Sequence, residues 1–319
     1  MNFFTYEVVT MNYYFAPMEG LTDSVYRRLH QQYFGGVDRY YMPFLSPTMH
    51  RTLSGKEDRE LPLSDSVCFA AIPQILTKVV EDFLWAANIC QSRGYEEVNL
   101  NVGCPSGTVV AKGKGAGMLS DPDSLDRFLD TVFQTSPLPI SVKTRLGIAD
   151  PAEFPVLLEI FNRYPIQELT IHPRVRKQFY QGDVDMEMFR YAVANSKNAL
   201  CYNGNLFSRQ DCEKIAAEFP SVSSVMLGRG LAADPGMLLP QGTERNTLEL
   251  FHNALLEEYL ILFGGSRNAM FRLKENWSYW LTIFEDSDKL AKRLRKTTDL
   301  GEYRAITAEI FHTLPLKKN

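Results

Sequence analysis

A chain of 319 residues, 45% hydrophobic and with a formal charge of −4, holds enough apolar mass for one large domain and a small one. The mild acidity excludes a protein that coats nucleic acid indiscriminately, although it leaves room for a localised basic surface. No apolar run approaches the ~20 residues of a membrane span, and the N-terminus lacks the basic start and small-residue cleavage site of a secretory signal, so the sequence points to the cytoplasm.

From the N-terminus, short apolar runs rich in branched and aromatic residues alternate with longer amphipathic segments, the pattern of βα units. Eight strands are expected, over 13–18 (YYFAPM), 39–44 (RYYMPF), 67–75 (VCFAAIPQI), 97–103 (EVNLNVG), 139–146 (PISVKTRL), 168–173 (ELTIHP), 199–204 (ALCYNG) and 224–229 (SVMLGR). Helix start signals stand between them: Thr22 or Asp23, Asp121 with Pro122, Asp150 with Pro151, and Ser208. Residues 45–66 carry no convincing helix and read as a long irregular loop. Eight such units predict a (β/α)8 TIM barrel, an α/β fold, with an open doubly wound sheet as the competitor.

Two features favour the barrel. Polar or special residues recur at the C-terminal ends of successive strands: Pro17 and Met18, Gln74, Asn101 and Cys104, Lys143 and Arg145, His172, Asn203, then Gly228 and Arg229. That face of a barrel carries the active site. The glycine-rich stretch GKGAGM also follows the fourth strand rather than the first, and it lacks the spacing and the later acidic residue of a dinucleotide fingerprint. It reads as a mobile flap on the substrate side. Beyond residue 240 the strand pattern ends and three segments of helical period follow, which sets a barrel over 11–240 and a helical domain over 241–319. Residues 243–319 carry 12 Lys and Arg against 11 Asp and Glu, so the tail is the relatively basic part, with Lys289, Lys292, Arg293, Arg295 and Lys296 closely spaced.

The five cysteines are scattered, with no CxxC pair and no histidine at ligand spacing, which argues against disulfides and a metal site. Cys68, Cys90, Cys201 and Cys212 read as small buried hydrophobes, whereas Cys104 stands between glycine and proline at a strand end. YNGN at 202–205 and LGRG at 227–230 offer glycine backbones where many barrels bind a phosphate, with Arg229 as its cation; two ordinary glycine turns would read the same way. Lys143 suits either a Schiff base or a retained ammonium that holds an anion or an electron-rich ring. Gln74 and Asn203 favour the second, because amides match the edge of a flat heteroaromatic cofactor such as a flavin. His172 adds a polar contact at the same rim.

Together, APMEGLTD, PQI, LNVGCPSGTVVAKGKGAGML, VKTRLG, TIHPR, YNGN and MLGRG, in that order, resemble the tRNA-dihydrouridine synthase family over nearly the whole chain. The Asn-x-Gly-Cys-Pro segment with its glycine-rich sequel is the most specific element. The resemblance implies an FMN-dependent barrel with a C-terminal helical tRNA-binding domain, which uses NADPH to reduce the 5,6 double bond of particular uridines in tRNA. It implies that Pro17, Met18 and Glu19 lie against the flavin, that Gln74 reads its pyrimidine edge, and that Lys143 and His172 contact it. Asn203, Gly204, Asn205, Gly228 and Arg229 match the region of the FMN phosphate. Cys104 matches the general acid and Asn101 the asparagine that orients the uracil. Lys112, Lys114, Arg145, Arg174, Arg176 and, in the tail, Lys292 and Arg293 are expected on the substrate side. Two positions depart from the family pattern: Asn205 stands where an acid is usual, and Pro173 follows the histidine in place of a small residue. Family members commonly begin near the position of Met11, so residues 1–10 are expected to be an extension.

The implied chemistry suits these parts. A hydride from reduced flavin at carbon 6 of the uracil builds negative charge across carbon 5 and the carbon 4 oxygen, and a proton must reach carbon 5. A thiol with an ordinary pKa of about 8.5 stays mostly protonated at neutral pH and can donate it. The base must first leave its stack. Two other readings compete: a flavin barrel acting on a free pyrimidine or a small enone, and a tRNA-binding protein that keeps the fold without turnover. A monomer without metal is expected.

Overall fold

The computed structural model describes residues 11–317, so the expected extension over 1–10 lies outside the described residues. In chain order the elements are β1 (Asn12–Phe15), α1 (Ser24–Tyr33), β2 (Arg39–Tyr41), α2 (Gly55–Glu60), β3 (Ala71–Ile72), β4 (Gln74–Ile75), α3 (Val80–Ser92), β5 (Val98–Val102), α4 (Gly107–Val110), α5 (Pro122–Thr135) and β6 (Ile140–Arg145). They continue with α6 (Phe154–Phe161), β7 (Leu169–His172), α7 (Met186–Asn195), β8 (Leu200–Tyr202), α8 (Arg209–Glu218), β9 (Ser224–Leu227), α9 (Arg229–Ala233), α10 (Arg245–Phe263), α11 (Ser266–Trp280), α12 (Asp288–Lys296) and α13 (Leu300–Thr313).

All neighbouring strands pair in parallel, in the order β3-β2-β1-β9-β8-β7-β6-β5-β4. The two outer members of that order, β3 and β4, belong to one run of chain interrupted only by Pro73. The sheet therefore closes on a single residue, and the third expected strand gives one half to each neighbour: Ala71 pairs with Tyr40, Gln74 with Asn99. Proline has no N–H to give a ladder, which explains the break there. The barrel supersedes the doubly wound alternative. The observed strands stop short of the expected ones, because Pro17, Met18, Gly103, Gly204 and Gly228 leave the ladder to form the loops above it.

The helix signals act through their side chains. Asp23 accepts from Tyr26 N at 2.9 Å, Asp121 from Ser124 N at 3.0 Å and Ser208 from Asp211 N at 3.1 Å. Asp150 instead starts a short 3-10 turn over Pro151–Glu153 that runs into α6. The stretch 45–66 is not wholly irregular, since α2 forms there with reciprocal bonds between Ser54 and Glu57. Buried Arg27 pairs with Glu60 at 3.0 Å and fixes α2 against α1.

Two further expectations are corrected. The glycine-rich segment is no open flap: α4 and a 3-10 turn over Gly115–Ser120 fold it onto the barrel, Gly115 to Leu119 are buried, and Ala116 N donates to Cys104 O at 3.1 Å. Cys68 is exposed, whereas Cys90, Cys201 and Cys212 are buried. The helical tail packs directly on the barrel and shares its core. The Phe251 ring meets those of Tyr26 and Phe34 edge-on at 5.3 Å, and Tyr259 donates to Asp23 at 2.9 Å.

Candidate active site

The loops that leave the strand ends enclose one cavity of about 380 Å3. Pro17, Met18, Glu19, Gln74, Asn101, Cys104, Lys143, Arg145, His172, Asn203, Gly204, Asn205, Gly228 and Arg229 all line it. Residues more than two hundred positions apart meet there because a parallel barrel delivers every strand end to the same face.

A run of amides fixes the floor on one side. Asn99 donates to Ser141 Oγ at 3.0 Å, Gln74 to Asn99 Oδ1 at 2.7 Å and Asn101 to Gln74 Oε1 at 2.7 Å. Asn101 Oδ1 then accepts from Cys104 N at 2.9 Å and Gly103 N at 3.1 Å. Each amide orientation is set by the next, so the backbone that carries Cys104 is anchored to the barrel interior. Burial pushes the Cys104 thiol above its ordinary value, against the opposing pull of the Ser106 N–H, Arg145 and Lys143. At neutral pH the group is therefore held as a thiol.

On the other side, Lys143 donates to Asn203 Oδ1 at 2.6 Å, and Asn203 donates to Met226 O at 2.6 Å. Burial, helped by Arg145, brings the Lys143 ammonium down to about 7. An electron-rich acceptor placed beside it would restore the charged form. His172 lies 3.0 Å from an Arg174 nitrogen. A guanidinium can only donate, so His172 Nε2 accepts and its proton sits on Nδ1. Burial first, and the cations around it second, keep this histidine neutral.

A cationic corner completes the cavity. Asn205 takes a left-handed backbone with φ 43°, tolerable for asparagine, and its Oδ1 accepts from Arg174 at 3.0 Å and Arg229 at 3.2 Å. An acid here would neutralise those guanidiniums, whereas the amide leaves the charge of Arg229, which lines the cavity, available to an anion. Gly230 permits the corner to form, since a Cβ there would overlap the Leu206 carbonyl oxygen.

The substrate-side candidates lie in different parts of the molecule, and burial withdraws one of them, Arg174, from contact with RNA. Arg174 is only 1% exposed and spends its donors on His172, Asn205, Gln181 O and Gly182 O, so it braces the cationic corner instead of reaching RNA. Arg145 is buried and lines the cavity, donating to Gly103 O at 2.9 Å. Arg176 donates to Pro105 O at 3.2 Å and ties its loop to that of Cys104. Lys112 is exposed and Lys114 reaches Ser46 Oγ at 3.3 Å; both lie outside the cavity lining. Lys292 and Arg293 project from α12, with Arg293 paired to Glu309 at 2.7 Å.

The structure adds residues the sequence reading missed. Tyr180 lies under both Arg145 and Arg229, at 5.4 and 5.1 Å from its ring centre, and Phe44 and Phe207 join it on the lining. Glu275 and Tyr279 come from α11. Phe44 ends the second expected strand, whereas nothing in the local sequence marks the other four, which loop folding and the docking of α11 bring to the site. Among the described residues, no group of three or more His, Cys, Asp or Glu is placed to hold a metal ion, and no helix is long and apolar enough to cross a membrane.

A closed parallel barrel with a guarded thiol, an amide-lined floor and a cationic corner at its C-terminal face defines a TIM-barrel enzyme. Residues 14–300 match the family model described as Dihydrouridine synthase (Dus), and the chain belongs to that family. It is 26% identical over 313 residues to a "Probable tRNA-dihydrouridine synthase" of Staphylococcus aureus (strain COL), covering 92% of this chain and 91% of that one. It is also 26% identical over 223 residues to "tRNA-dihydrouridine synthase B" of Pasteurella multocida (strain Pm70), over 70% of this chain and 66% of that one. Among solved structures, the old yellow enzyme from Trypanosoma cruzi superposes with a TM-score of 0.52 at 9% identity, over 71% of this chain and 86% of that one, a likeness of fold alone.

Proposed function

We propose that this protein is a flavin-dependent tRNA-dihydrouridine synthase, which uses FMN and NADPH to reduce the 5,6 double bond of uridines in tRNA. The observation that carries the reading is the convergence of the Cys104 thiol with the donor set of Gln74, Lys143, Asn203 and Arg229 on one cavity. Those residues fit a flavin mononucleotide. Pro17 and Met18 offer an apolar surface for a flat ring, Gln74 and Lys143 suit its polar edge, and a single cationic corner at Asn205 and Arg229 matches one phosphate. When bound, the reduced flavin supplies a hydride to carbon 6 of the uracil.

Cys104 Sγ then gives its proton to carbon 5 and recovers one from solvent. Arg145, on the same lining, makes the field positive where charge develops on the uracil. Residues 11–240 carry this chemistry, and residues 241–319 contribute the main RNA-binding surface. We place the enzyme in the cytoplasm as a monomer. Purified protein is expected to be yellow, to bleach with NADPH under anaerobic conditions and to recover its colour with bulk tRNA but not with free uridine. Equal recovery with free uridine would identify a reductase of small pyrimidines, and absence of flavin would leave only a binding protein.

Two variants probe the parts. Arg229→Ala removes a charge-assisted partner of the phosphate worth about 1.5 to 3 kcal/mol, so flavin retention through gel filtration should drop sharply. Undiminished retention would put the phosphate elsewhere. On α12, Lys289, Lys292 and Lys296 are exposed. Reversing all three should weaken tRNA binding and flatten its salt dependence, since fewer counterions are released, while NADPH still bleaches the flavin at the native rate. Unchanged affinity would reduce the basic run to a solvated face.

A further inference from the structure

The barrel does not supply the whole wall of the cavity, because α11 contributes Glu275 and, one turn on, Tyr279. Arg272, one turn before Glu275, pins this stretch of α11 to the β1–α1 loop by donating to Gly20 O and standing 3.6 Å from Asp23. The Glu275 carboxylate is thereby set over Gly20. A Cβ built on that glycine, whose φ is +79°, would lie 3.3 Å from Glu275 Oε2. The bare backbone at position 20 makes room for the acid.

Two carboxylates line the cavity, and they differ. Glu19 is neutralised by Lys56. Glu275 forms no ion pair and no side-chain hydrogen bond among the described residues, although Lys143, Arg145 and Arg229 line the same cavity. A carboxylate without an ion-pair partner disfavours a phosphate group at its own position, though not a nucleotide whose phosphates lie elsewhere. Its oxygens can only accept hydrogen bonds. The ligand group that suits it is a neutral donor held close to the reacting ring, and a ribose hydroxyl meets that description: carboxylates read ribose in dinucleotide sites, and the 2′-hydroxyl is the handle by which proteins tell RNA from DNA.

We propose that Glu275 accepts a hydrogen bond from a ribose hydroxyl in the cavity and so acts as a specificity-determining residue lent by the helical region to the barrel site. The inference rests on the reading of the cavity as a uridine-reducing site. The ribose has two sources, the target nucleotide of the RNA and the nicotinamide nucleotide that reduces the flavin. Both must bring a ring to the same cavity, and both rings carry the sugar on a ring nitrogen.

The test uses the full-length flavin-loaded protein and two forms of one tRNA transcript, unmodified or with every uridine replaced by 2′-deoxyuridine. Dissociation constants and single-turnover rates are compared between wild type and Glu275→Ala. Wild type is expected to favour the ribose form by about tenfold or more, the range of one hydrogen bond to a charged group, and Glu275→Ala to lower that ratio severalfold. Glu275→Gln, which keeps a neutral acceptor, should fall between them. If the nicotinamide ribose is the partner, the RNA ratio is unaltered and Glu275→Ala instead raises the half-saturating NADPH for anaerobic bleaching by a similar factor. An unchanged RNA ratio together with unchanged half-saturation overturns the proposal. Because binding is measured apart from turnover, wild type that binds and discriminates but reduces neither transcript would count against the reaction and not against the ribose contact.

Discussion

Cys104→Ala is expected to lower the reduction of tRNA by about 10²- to 10⁴-fold while flavin bleaching by NADPH proceeds near the native rate. The two half-reactions separate because only the second needs a proton at carbon 5 of the uracil. The variant should fold, since Asn101 holds residue 104 through its backbone N–H, which alanine retains. The base should bind as well, because its stacking and edge contacts come from other residues. Single-turnover oxidation of the reduced flavin by tRNA measures the step directly. An alanine variant as fast as wild type would remove Cys104 from the role of acid and leave its burial without a catalytic explanation.

The parallel strands were legible because they are buried on both faces, so each reads as a short run of branched and aromatic residues. Their ends were less so. Pro17, Gly103 and Gly228 extend the apolar pattern but lie outside the ladder, and they form the loops that surround the cavity. Chemistry carried by a strand end was readable from the residue type alone, as with Cys104, Lys143 and Asn203. Chemistry that depends on docking was not: Tyr180, Glu275 and Tyr279 reach the cavity only through tertiary packing. Arg174 shows the same limit. An arginine in a basic loop looks like an RNA contact until the chain folds back and gives it the carbonyls of Gln181 and Gly182. Helix α2 failed for a local reason, since Gly55 and a run of charged residues masked the Ser54–Glu57 capping signal.

By residue type alone the glycines after Cys104 suggest motion, and the structure gives them a different purpose that Gly115→Ala tests. Gly115 has φ +57°, and a Cβ there would lie 2.9 Å from both Cys104 Cβ and Val109 Cγ1. Left-handed backbone costs a non-glycine residue roughly 1 to 2 kcal/mol, and relieving the overlap adds about 1 to 3. The change should lower the melting temperature clearly and displace the thiol. A displacement of even about 1 Å can cost on the order of 10²-fold in rate, so tRNA reduction should fall by about that factor while NADPH still reduces the flavin. Gly107→Ala is the matched control, because it lies in the same segment yet its added Cβ would meet nothing within 4 Å. If the segment worked as a flexible flap, losing either glycine would stiffen it and the two variants would suffer alike. If it works as a cradle pressed against Cys104, only Gly115→Ala is impaired. Equal loss in both, measured as single-turnover tRNA reduction per bound flavin, would return the segment to the role of a moving lid.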